Sequence, residues 1–156
     1  MDKRYAASAV IYNDQGLVLL ARRAPTKFPF PNVLSLPSTY IKGGSGELVL
    51  DLPEIEVEQG QLAEAVRKKL SLEIKIAGLI GSKSGQQENY HLTMTDYVAR
   101  IEPNDQQIRP NREDFTEAQF YNPTELLQGK DRNKMGFCMQ ILLEEIDRNP
   151  DFWKHF

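Results

Sequence analysis

Two apolar, partly β-branched runs open the chain, residues 5–12 (YAASAVIY) and 17–22 (LVLLAR). The polar stretch Asn13-Asp14-Gln15-Gly16 lies between them, so the pattern predicts a β-hairpin. A proline-rich loop follows at 24–32, then a short strand at 33–37 (VLSLP). Residues 42–47 (KGGSGE) have the composition of a flexible loop, and 48–50 (LVL) suit another short strand. The acidic segment 51–60 (DLPEIEVEQG) fits neither period. In 61–70, Leu62, Ala65, Val66 and Leu70 recur at i, i+3, i+4 and i+8, one face of a helix. Residues 72–81 and 90–101 alternate as strands, with the polar GQQEN between them able to turn. A strand at 117–121 and a short helix at 123–128 come next. The last helix, about 134–148, carries a stripe of Met135, Cys138, Met139, Leu142 and Ile146. This order predicts an α/β (α+β) chain, a mixed sheet sandwiched by helices.

Composition adds limits. The 156 residues suit one domain, 1–156, large enough to fold without a disulfide or metal staple. The single cysteine, Cys138, excludes an intramolecular disulfide and a cysteine-based zinc cluster. A net charge of -3, from 19 basic and 22 acidic residues, gives no global argument for nucleic-acid or membrane binding. No apolar run approaches the ~18 residues of a membrane span. The first residues read as a strand and are too broken by polar positions for a signal sequence. A cytoplasmic protein is expected.

Several strings, in their order, resemble the Nudix hydrolases. Residues 7–23 look like that family's opening hairpin, with an Asp-x-Gly turn and a strand ending Leu-Leu-x-x-Arg. Residues 33–37 stand where the family has a strand leading to Pro-Gly-Gly. Residues 70–81 resemble the end of the Nudix box and the strand after it, and 117–127 the late strand and its following turn. The likeness spans about 5–128 and implies a Nudix-like α/β/α sandwich. It also implies hydrolysis of a nucleoside-diphosphate-linked substrate, with magnesium held by box glutamates that share one helix face.

The box is written GX5EX7REUXEEXGU, with U apolar. Residues 70–72 (LSL) serve best as its closing x-G-U, which places REXXEE on 64–69 (EAVRKK). The three glutamate positions then hold Ala65, Lys68 and Lys69, and the arginine position holds Glu64. Starting from Arg67 instead puts Lys68, Ser71 and Leu72 at those positions. Starting from Lys68 puts Lys69, Leu72 and Glu73 there. No register within the helix at 61–70 keeps more than one carboxylate, so no metal is expected at Ala65, Lys68 and Lys69. Pro-Gly-Gly is replaced by Pro37-Ser38-Thr39, and only Glu56 falls on the GX5E glutamate.

The expected function is therefore binding of a nucleotide or phosphorylated metabolite without normal magnesium-dependent turnover. Arg22, Arg23, Lys68 and Lys69 are candidate ligand-binding residues. A lysine at a metal position replaces part of a divalent charge and can bind phosphate, although Arg67–Lys69 can equally be a solvated helix face. An alternative is an active pyrophosphohydrolase with displaced carboxylates, Glu56, Glu58 and Glu117, and only there is Mg2+ required as cofactor. Glu54, Glu64 and Glu113 are further acidic candidates. A second alternative is a protein-interaction module. His91, Thr93, Thr95 and Tyr97 share a strand face by alternation, which either lines a ligand cleft or, as expected here, is the solvated face. Phe28 and Phe30 are expected to pack within their loop or to stack a base. The tail DFWKHF, 151–156, is expected to dock on the domain or on a second copy in a homodimer.

Overall fold

The computed structural model describes residues 2–28 and 30–156. Seven strands are laid down in chain order: β1 (Asp2–Ile11), β2 (Val18–Arg23), β3 (Leu34–Ser35), β4 (Ser38–Tyr40), β5 (Ile74–Gln86), β6 (Tyr90–Ile101) and β7 (Phe115–Tyr121). The helices are α1 (Ile55–Leu70), α2 (Pro123–Leu126) and α3 (Phe137–Arg148). One sheet has four strands in the order β4-β1-β6-β5, the other three in the order β3-β2-β7. The β1–β6 pair is parallel, from Asp2↔Tyr90 to Ile11↔Ala99, and the remaining pairs are antiparallel. The sheet is thus mixed, as the pattern implied.

The period-two alternation of the central strands divides the interior. Ala6 and Val10 of β1, with Leu92, Met94 and Val98 of β6, pack under α3 against Met139 and Leu142. Ala7, Ala9 and Ile11, with Tyr97 and Ala99, pack under α1 against Leu62, Val66 and Leu70. Burying such side chains contributes roughly 1.5–3 kcal/mol each relative to exposure.

Several expectations change. The opening hairpin holds only at its base, where Tyr12 bridges Val18. Beyond it the strands part, because β1 finds β6 and β4 as partners while β2 finds β7 and β3. The strand expected at 33–37 shrinks to the two residues of β3, and β4 follows beyond it in the other sheet. Residues 48–50 supply only an isolated bridge, Lys42↔Leu48. The acidic segment turns into helix at Ile55. Its pattern hid this because the apolar Ile55 and Val57 face solvent while Glu58 is buried four residues before Leu62. Glu56 and Glu58 in the first turn suit the positive end of the helix dipole. Strand β5 runs on through polar residues to Gln86, paired with β6 and joined to it by the hydroxyl contacts Ser82–Thr95 and Ser84–Thr93, both 2.8 Å. The face of β6 expected to be solvated is therefore covered at Thr95 and Tyr97 and only half-buried at His91 and Thr93.

The aromatic tail docks on its own chain. A short 3-10 turn, Phe152–His155, places Trp153 beside Tyr12, with ring centroids 6.1 Å apart. The Tyr12 hydroxyl donates to the Phe156 carbonyl at 3.2 Å. Gly16, at φ +77°, admits the Trp153 ring where any Cβ would lie 2.5 Å from it. Phe28 is exposed and Phe30 half-buried. No helix among the described residues is long and apolar enough to cross a membrane.

Candidate functional site

The C-terminal end of α1 lies against β4, and the segment before β7 fixes it there. Backbone N–H groups of Arg109 and Asn111 donate to the carbonyls of Leu70 (2.9 Å) and Lys69 (2.7 Å), satisfying groups that a helix end leaves open. Ser71 closes the helix in the left-handed region, φ 59° and ψ 36°, a conformation that favours glycine. This is the residue standing at the glycine of the box pattern in the register that starts at Glu64.

Helix phase then separates the three basic residues 67–69. Arg67 forms an ion pair with Glu64, and Lys68 reaches the same carboxylate at 3.7 Å with 70% of its side chain exposed. These two form a solvated face, and exposed pairs of this kind are worth about 0–1 kcal/mol. Lys69 points the other way. It lies four residues after the buried Ala65, on the same helix face. Its Nζ donates to the Ser38 carbonyl of β4 at 2.7 Å. Burial lowers its pKa from the ordinary lysine value; Asp114 opposes that, while Lys27, Arg23 and Lys42 are near enough to add to it by repulsion.

Those neighbours arrive from separate segments. Lys27 pairs with Asp114 at 3.2 Å. Asp114 is tied to the loop after β2, its carbonyl accepting from the Ala24 N–H at 2.9 Å. Arg23 donates to the Phe28 carbonyl at 3.4 Å, and its buried Nε finds no acceptor among the described residues. A bulge between Arg22 and Arg23 shifts the register against β7. Arg22 precedes that shift and faces Glu117, with Nε 3.1 Å from the carboxylate, and also donates to the Asn32 carbonyl at 2.8 Å. The Tyr121 hydroxyl adds a bond to Glu117 at 3.3 Å.

The other acidic candidates lie apart. Glu54, Glu56 and Glu113 are exposed. Glu58 is buried and accepts from the Tyr97 hydroxyl at 3.2 Å. Burial raises its carboxyl above the ordinary value, and the Tyr97 bond partly opposes this. Among the described residues no three His, Cys, Asp or Glu side chains come together as a metal site would need. Magnesium takes oxygen ligands, usually carboxylates and water, and Ala65, Lys68 and Lys69 offer it a methyl and two cationic amines.

Sequence reasoning missed Lys27, Lys42 and Asp114, which nothing in their local strings marks. It also missed a buried polar nest under α3. Asp96 of β6 is fully buried, and neither carboxyl oxygen has a donor among the described residues. Ser8 lies across from it on β1. The Cys138 sulfur is 3.5 Å from the Ser35 hydroxyl, and burial, with the nearby Asp96, pushes the thiol up to about 11. The signal was readable, since Asp96 interrupts the apolar face set by Leu92, Met94 and Val98.

A mixed four-stranded sheet with α1 packed on one face and α3 on the other defines an α/β/α sandwich. A family model described as the NUDIX domain matches residues 2–137, so the chain belongs to the Nudix family. Among solved structures it is similar to a MutT protein from Methanosarcina mazei Go1 (TM-score 0.71, 13% identity, 96% of each chain covered). A MutT NUDIX hydrolase from Burkholderia pseudomallei is also similar (TM-score 0.68, 17% identity, 94% of this chain and 99% of that one). A UDP-X diphosphatase aligns at TM-score 0.64 and 13% identity, over 95% of this chain and 64% of that one. At these identities the likeness concerns the fold. No curated protein sequence matches the chain.

Proposed function

We propose that this Nudix-family chain binds a nucleotide or a phosphorylated metabolite, in the cytoplasm, without the magnesium-dependent turnover usual for the family. The observation that carries this reading is Lys69, whose Nζ holds the Ser38 carbonyl at 2.7 Å on the helix face where the box pattern calls for carboxylate. A hydrolase of this design needs oxygen ligands to bridge metal and diphosphate. The displaced set Glu56, Glu58 and Glu117 does not replace them: the first is exposed, the second is held by Tyr97, and the third by Arg22 and Tyr121. The names of similar structures, MutT and UDP-X diphosphatase, support nucleotides and nucleotide sugars as the first ligands to try.

The test pairs a thermal-shift screen of nucleotides and nucleotide sugars with a hydrolysis assay in magnesium. A ligand of the folded state at 100 times its dissociation constant adds about 2.7 kcal/mol to apparent stability. Stabilisation with no product formed supports the reading. Robust magnesium-dependent hydrolysis, abolished by one carboxylate substitution, would overturn it.

A further inference from the structure

The cations around Lys69 suggest how such a ligand is held. Lys69, Arg23, Lys27 and Lys42 come from α1, the end of β2, the loop after it and the residues after β4, and the last three lie near enough to the Lys69 ammonium to repel it. Against them stand two carboxylates, each already paired, Asp114 with Lys27 and Glu117 with Arg22. Neither Arg23 nor Lys69 belongs to an ion pair among the described residues. The buried Arg23 Nε has no acceptor there. Lys69 and Arg23 thus lack an ion-pair partner, and Arg23 Nε an acceptor, among the described residues, and both suit an anion. Resting on the reading that the chain binds a phosphorylated ligand, we propose that Lys69, Arg23, Lys27 and Lys42 take its phosphate directly, in metal-free form, so that magnesium opposes binding.

The physical reason is charge. A hydrated magnesium ion bound to a diphosphate cancels part of the negative charge that attracts lysine and arginine, and brings a dication toward amines that repel it. Lysine ammonium and arginine guanidinium bind phosphate oxygen as donors and need no bridging metal. The Ser38 carbonyl positions Lys69 in advance, so the ammonium does not have to be ordered when the ligand arrives.

Isothermal titration calorimetry of the full chain with inorganic pyrophosphate tests this, first in EDTA and then in excess magnesium chloride. Binding is expected in EDTA and to weaken at least tenfold in magnesium. Lys69→Met is expected to weaken it tenfold or more. Lys42→Met, at an exposed position that leaves the core untouched, is expected to weaken it less but measurably. Absence of pyrophosphate binding in EDTA, tighter binding with magnesium, or full affinity in both variants would overturn the proposal. Magnesium-requiring binding without turnover overturns this proposal alone, whereas magnesium-dependent nucleotide hydrolysis overturns the underlying reading as well.

Discussion

Asp96→Asn should remove a specific pH dependence from the stability of this protein. The Asp96 carboxyl lies on β6 among Leu92, Met94 and Val98, fully buried, with no donor to either oxygen among the described residues. Burial therefore raises its pKa well above the ordinary carboxylate range. In the unfolded chain an aspartate titrates near pH ~3.9. Between that value and the raised one, the folded state holds a proton that the unfolded state has released. Stability from this group is thus fully present below the unfolded value and is lost as pH rises toward the folded one. One proton corresponds to a slope of about 1.4 kcal/mol per pH unit. That is a large fraction of a total stability of roughly 5–15 kcal/mol. Asparagine keeps the shape of aspartate and carries no proton to release, so the variant should lack this slope. Glu58 is also raised by burial and contributes with the same sign. The difference between wild type and Asp96→Asn, however, isolates Asp96. Urea unfolding of both proteins at half-unit steps from about pH 5 to pH 8 supplies the two curves. They should diverge by about 1.4 kcal/mol per unit while Asp96 stays protonated in the fold. Parallel curves would refute the reasoning and mean that the nest supplies the carboxylate with compensation.

Cys138 should react slowly with a thiol-specific disulfide reagent at pH 8 in the native state and rapidly in urea, since its thiol is buried and pushed up to about 11; fast native labelling would place it at the surface. Gly16→Ala should cost at least about 1 kcal/mol from the left-handed backbone alone. It should also shift Trp153 fluorescence to the red by displacing the ring that now fills the Cβ position, and an unchanged spectrum would mean the tail is not docked there. Glu117→Gln should change stability by less than about 1 kcal/mol, because its pair with Arg22 is more than a third exposed on both sides; a loss of several kcal/mol by urea unfolding would show that Glu117 does more.

The sequence was legible where contacts are local. Leu62, Ala65, Val66 and Leu70 marked their helix face, and the stripe from Cys138 to Ile146 marked α3. It was less legible where partners lie far apart along the chain. The hairpin signal around Gly16 was sound, yet the two strands serve different sheets, because β6 and β7 compete for them later in the sequence. Which of two adjacent lysines faces inward depended on helix phase. Lys69 follows Ala65 by one turn and turns to Ser38, while Lys68 follows Glu64 and pairs with it. The helix start was hidden because Glu58 takes an interior position that an apolar residue would have announced. The convergence of Lys27, Lys42, Arg23 and Lys69 depends on the folding of four segments, and no short string contains it.

The parallel pairing of β1 with β6 also has a consequence during synthesis. Strand β1 leaves the ribosome before β6, and its last six residues, from Ala6 to Ile11, are all buried in the finished fold. Their main neighbour does not exist until Tyr90–Ile101 has been made. Until then the nascent chain carries an apolar strand with a free edge, a known template for unwanted pairing. The polar and charged start of β1, Asp2 to Arg4, and the proline-rich stretch after β2 then guard that strand on either side until the sheet can close around it.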